Sequence, residues 1–166
     1  MSMSVTRYLC RSRCVQGLVE EWQIRRNYPV LAVEAEDLVS ECIDLAVLCE
    51  RALEDIRALL HSDPNGEEIY EAGKAMKTAL PKTQESYKAV QEVIAEANRK
   101  GCAIKNAAAF ESAANRVHEV RAKIEMVFPE LNKEMAEESR EAFLRGECIP
   151  IEDLIREAQG LSVPAH

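Results

Sequence analysis

Aromatic residues are scarce in this chain: Phe, Trp and Tyr make up 5% of 166 residues, with a single Trp. Sheet proteins draw on aromatic and β-branched residues alternating with polar ones. No period-two alternation runs through this sequence. Long apolar runs are missing too, since the longest, Leu45 to Cys49, has five residues and lies between Asp44 and Glu50. A membrane-spanning helix needs about 18 or more, so none is expected. The six glycines are scattered at turns and helix ends, apart from Gly17 and Gly73 inside helical patterns. That leaves no glycine-rich loop to cradle a phosphate. Met1 to Gly17 contain Arg7, Arg11 and Arg13 but no apolar stretch leading to a small-residue cleavage site, so no secretory signal is expected. Basic residues are outnumbered, 21 Lys and Arg against 29 Asp and Glu, for a net charge of -8. Such a balance argues against a generally basic nucleic-acid-binding surface.

What the chain does have is an apolar content of 47% together with 30% charged residues. That composition is too apolar for intrinsic disorder, and the length suits one domain spanning 1–166. Between Pro29 and His61 the residues Leu38, Cys42, Leu45, Cys49, Ala52, Ile56 and Leu59 recur at alternating spacings of four and three. This is a helical seam. A second row, Val39, Ile43, Ala46, Leu53 and Leu60, widens it to a face suited to a bundle rather than a two-stranded coil. The turn formers Ser62 to Gly66 then reverse the chain.

The same alternation resumes at Ile69 and continues through Gly73, Met76, Leu80, Thr83, Tyr87, Val90, Ile94 and Ala97. Its phase is kept across Pro81, which predicts one kinked helix from Glu67 to Lys100 rather than two. Gly73 on this seam suits close helix approach. Gly101 suits the left-handed position that closes such a helix. A further helix opens near Asn106, read as its N-cap, with Ala113, Val117, Val120, Ile124, Val127 and Leu131 on one side. At Pro129 both a kink and a fresh start are open readings. The continuation ends at Arg145-Gly146, and a short helix is expected within 150–160, from Ile151 to Gln159.

Ahead of the long helices lies a segment, 1–27, that differs in charge. It carries Arg7, Arg11, Arg13, Arg25 and Arg26 against Glu20 and Glu21. On a helix Tyr8, Val15, Leu18, Val19 and Trp22 fall within about 100° of one another, which makes a docking face. The basic helix is expected to be drawn to the acidic body and to be detachable at the breaker Asn27-Tyr28-Pro29.

Chemistry-bearing clusters are sparse. Di-iron bundles need Glu-x-x-His spacings. None of His61, His118 and His166 has a Glu three residues before it. Cys10 and Cys14, four apart, lack nearby partners for a metal and are expected to be half-buried thiols on a docked helix. Cys42 and Cys49 share one apolar stripe about 10 Å apart, too far to bond to each other. They read as reduced core residues of a cytoplasmic protein. A Cys/His pair of either with His118 would need a signal of thiol activation, and none is present.

The expected fold is all-α: an antiparallel bundle of three long helices, with the N-terminal helix as a fourth member and a short C-terminal helix. The expected role is that of a non-enzymatic helical interaction or adaptor protein, without cofactor or metal. Tyr8, Arg11, Val15, Leu18 and Trp22 are the expected partner-binding residues, and the partner is a protein, including a second copy in a homodimer. Two alternatives stand beside it. One is a small antitoxin-like or nucleic-acid-associated regulator using the basic helix, and the other is a bundle with an internal small-ligand cavity.

Overall fold

The computed structural model describes residues 1–25, 31–63 and 66–146. Contacts divide the chain into two units, Met1–Phe128 and Pro129–His166. The first unit holds α1 (Met3–Arg25), α2 (Leu31–Ser62), α3 (Glu67–Arg99) and α4 (Ala107–Val127). The second holds α5 (Pro129–Leu144). Among the described residues there is no strand.

The first unit is a four-helix bundle in which successive helices run antiparallel. Helix α1 packs on α2 and α3, α4 packs on the same two, and α1 and α4 do not touch. They therefore occupy one diagonal of the bundle, while α2 and α3, which meet across the centre, occupy the other. Helix α2 accordingly buries the broadest face. Leu38, Val39, Cys42, Leu45, Ala46, Cys49, Ala52, Leu53 and Ile56 are all buried, whereas Ile43, Leu59 and Leu60 at its margins are half-buried.

Helix α3 is continuous through Pro81. An interior proline removes one backbone hydrogen bond and crowds the preceding turn. Here Met76 and Leu80 on one side and Thr83 and Tyr87 on the other are all buried along one face. Packing on both sides of the proline therefore holds the two halves in one helix, as the unbroken phase predicts. The end of α3 is closed by Gly101 at φ +75. The amide of Gly101 donates to the Asn98 carbonyl at 3.1 Å and that of Cys102 to the Ala97 carbonyl at 2.9 Å. This paired closure requires a left-handed residue, which glycine adopts without a Cβ penalty.

Asn106 does precede α4, but in a different role from the expected one. It sits at φ 62 and makes no side-chain capping bond. Asparagine is tolerated in the left-handed region, so the residue turns the chain into the helix instead of satisfying its amides. Phe110, one step upstream of the expected seam, is fully buried and stacks on Tyr87 with ring centroids 5.3 Å apart.

At Pro129 the helix breaks. Phe128 has φ -122 and ψ 58, outside the helical region, in keeping with the restriction that proline places on its predecessor. Pro129 is then the first residue of α5, where its missing N–H costs nothing. Within α5 and the turn after it, Arg145 pairs with Glu141 at 3.7 Å, and Gly146 follows at φ +74. Leu144 is 74% exposed. The short helix expected over Ile151–Gln159 lies outside the described residues.

Candidate partner-binding surface on the N-terminal helix

Helix α1 turns Val5, Tyr8, Ser12, Val15 and Val19 into the bundle. Tyr8 and Val15, two of the five residues expected to meet a partner, have no exposed surface and contribute to the chain's own core. Around Tyr8 lies a buried polar layer. The hydroxyl of Thr83 donates to the Ala79 carbonyl one turn back at 3.0 Å. Having spent its only proton, it has two lone pairs left to accept with. Tyr8 donates to it at 2.7 Å and Ser12 at 2.8 Å. The Thr83 oxygen is thereby saturated, and three side chains from α1 and α3 are held in one register.

The two core thiols border this layer. Burial pushes Cys49 up to about 12, with the nearby Tyr8 hydroxyl opposing the rise and Glu50 adding to it. Burial, reinforced by the Glu41 charge, pushes Cys42 up to about 12 as well. Burial likewise raises the Tyr8 and Tyr87 phenols far above their ordinary range. The Tyr87 hydroxyl donates to the Cys42 carbonyl. At neutral pH these thiols are protonated, buried groups, as their place on the α2 stripe predicts, and the thiol form is a poor nucleophile and metal ligand. His118 is exposed and accepts from the Gln84 amide at 3.2 Å, so it does not join either cysteine.

The remaining three expected residues reach the surface. Arg11 forms ion pairs with α2 through Glu41 and, at 3.8 Å, Asp44. This is the electrostatic attraction anticipated between the basic helix and the acidic body. Leu18 is 43% exposed, a departure from the docking face on which it was placed. Trp22 is half-buried, and its indole Nε1 is shielded from solvent without an acceptor among the described residues. Leu18 and Trp22 line a groove of about 460 Å³ together with Glu21, Asp37, Leu38, Ser40 and Glu41. One wall is α1 and the other α2. The groove thus combines an apolar patch, an unsatisfied donor and three carboxylates.

Cys10 and Cys14 are both exposed, not half-buried. The inward face of α1 is centred on Tyr8, Ser12 and Val15, and at 100° per residue positions 10 and 14 fall on the far side. The docking face of Tyr8, Val15, Leu18, Val19 and Trp22 extends on one edge to Leu18, next to Cys14, so including Leu18 draws that face toward the cysteines and hides their exposure. Ser12 and Thr83 were missed as a polar layer because a hydroxyl on an apolar seam gives no local sign of its partner across the bundle. Among the described residues no three or more His, Cys, Asp or Glu side chains gather as a metal site. No described helix is long and apolar enough to cross a membrane. No known protein family, curated protein or solved structure matches the chain.

Proposed function

We propose that this chain is a non-enzymatic helical interaction protein, an adaptor that works through protein–protein contacts and receives a partner segment in the groove between α1 and α2. The observation that carries the reading is Trp22. Its indole N–H is shielded from water with no acceptor among the described residues, at the edge of a groove that also exposes Leu18. A buried donor without an acceptor costs about 1–3 kcal/mol. A segment in the groove that turns the indole toward it would give the N–H a peptide carbonyl to donate to and recover that cost, while an apolar side chain of the same segment covers Leu18. Aromatic anchors of this kind supply much of the energy at protein contacts. Asp37 and Glu41 on the α2 wall favour a segment that carries basic residues.

The test is affinity capture with the intact chain beside Leu18→Asp and Trp22→Ala, each checked for unchanged helicity. The reading expects one stoichiometric protein partner that both substitutions release. Because Trp22 is the only tryptophan, the same partner should also shift the intrinsic fluorescence on binding. Retention of the partner by both variants would refute the groove.

A further inference from the structure

Helix α1 carries a second seam on the side away from its core. Met3, Arg7, Cys10, Cys14, Gly17, Glu21 and Ile24 follow one another at the four-three spacing of a helical contact row, and all seven are exposed. The two ends of the row are large and apolar, with Met3 69% and Ile24 81% exposed. Its middle is small, and a Cβ built on Gly17 would meet nothing within 4 Å. Among the described helices only α2 and α3 pack against α1, and neither lies on this side.

The order of residue types along the row is apolar, cation, small, small, small, anion, apolar. Read backwards it is the same except that cation and anion change places. We infer from this order that α1 pairs antiparallel with α1 of a second copy of the chain, about a two-fold axis that passes beside Cys14. In that arrangement Arg7 faces Glu21 of the second copy and Glu21 faces its Arg7. Met3 meets Ile24 at both ends, Cys10 packs over Gly17, and Cys14 meets its own counterpart. A two-fold interface requires this property, that whatever residue i meets at j is repeated with j meeting i. A parallel pairing would set Arg7 against Arg7 and Glu21 against Glu21, so the charges select the antiparallel one. Small residues at the centre let the two axes approach to about 8 Å.

Glu21 has a further interaction within its own chain, and the Arg7 contact adds to that carboxylate. The seam extends about 31 Å from Met3 to Ile24. A contact made by one helix from each copy belongs to the small, reversible class of interfaces. The inference rests on the reading of α1 as a contact helix, but it uses the face opposite the core; it shares Glu21 with the rim of the Trp22 groove and leaves Leu18 and Trp22 uncovered. A dimer and a groove-bound partner are therefore compatible.

Sedimentation of the full chain over about 1 to 200 µM, a span that brackets weak association, should show a concentration-dependent dimer. Arg7→Glu alone and Glu21→Arg alone should each weaken it about tenfold or more, since each substitution places two like-charge contacts in the symmetric interface. The double exchange of Arg7→Glu with Glu21→Arg should restore it. In a chain also carrying Cys10→Ser, Cys102→Ser and Cys148→Ser, Cys14 should form an intermolecular disulfide under mild diamide oxidation. It should do so faster than Cys102 in the reciprocal chain, where Cys10, Cys14 and Cys148 are replaced by Ser. The inference is overturned by a monomer throughout, by a dimer indifferent to the single exchanges, or by failure of the double exchange to rescue. Equal crosslinking by Cys14 and Cys102 would overturn it as well. Arg7 does not line the groove, whereas Glu21 does, so Arg7→Glu read beside Leu18→Asp and Trp22→Ala keeps loss of the dimer and loss of the groove as separate outcomes.

Discussion

Replacing Thr83 by Val tests whether the polar layer between α1 and α3 holds the N-terminal helix in place. Valine matches threonine in shape but offers no oxygen. The side chain is fully buried, as is Tyr8, and Ser12 is 4% exposed, so water cannot take over the lost contacts. Tyr8 and Ser12 both lose their acceptor, and a buried stranded donor costs about 1–3 kcal/mol. The Tyr8 phenol is left with only the weak Cys49 sulfur as an acceptor, but the Ser12 hydroxyl can rotate to the carbonyl four residues back. Thr83→Val should therefore cost about 2–4 kcal/mol, the upper figure applying if Ser12 is not relieved. That is a large share of a total stability on the order of 5–15 kcal/mol. Tyr8→Phe alone should cost about 1 kcal/mol, because Thr83 still accepts from Ser12. Added to Thr83→Val, it should be neutral or stabilising, since it removes the stranded phenol. Urea unfolding of the four chains, followed by far-UV circular dichroism, measures this coupling. Fluorescence of Trp22 on α1 reports separately whether that helix leaves first. Strictly additive effects, or a Thr83→Val cost below about 0.5 kcal/mol, would refute the assigned hydrogen bonds.

Leu45→Asp puts a carboxylate at a fully buried position in the middle of the broadest face; it should cost at least about 4 kcal/mol, and an unchanged melting temperature would remove α2 from the core. A water-soluble thiol reagent at neutral pH should label Cys10, Cys14 and Cys102 in the native chain within minutes. Cys42 and Cys49 should react only on unfolding, so rapid native labelling of these two would contradict their burial. Stability should also fall as pH rises above about 9. From there the unfolded thiols ionise, while Cys42 and Cys49 in the folded chain hold their protons up to about 12. A group whose folded pKa is raised gives stability that is complete below the unfolded value and lost on the way to the folded one. Alkaline melting curves should show this slope, and it should shrink in the Cys42→Ala/Cys49→Ala chain; a slope unaffected by the double substitution would show that other groups set it.

The helices themselves were legible in the amino-acid order. A four-three recurrence of apolar residues is a property of the chain's own period, so the seams of α2, α3 and α4 could be read locally. The persistence of phase across Pro81 foretold one helix because the same buried face had to continue on both sides. At Pro129 phase alone left two answers, and the break follows from the backbone that Phe128 adopts before the proline. Contacts between segments far apart in sequence had no local signature. Neither Tyr8 nor Ser12 announces Thr83, which lies 75 and 71 positions away, because a hydroxyl on a seam looks the same whether its partner is water, its own backbone or another helix. On α1 the period was visible but not its phase. Residues with apolar character lie on more than one side of that helix, so only packing against α2 and α3 decided that Tyr8 and Val15 face inward. The same packing left Leu18 and Trp22 at a groove and turned Cys10 and Cys14 to the solvent.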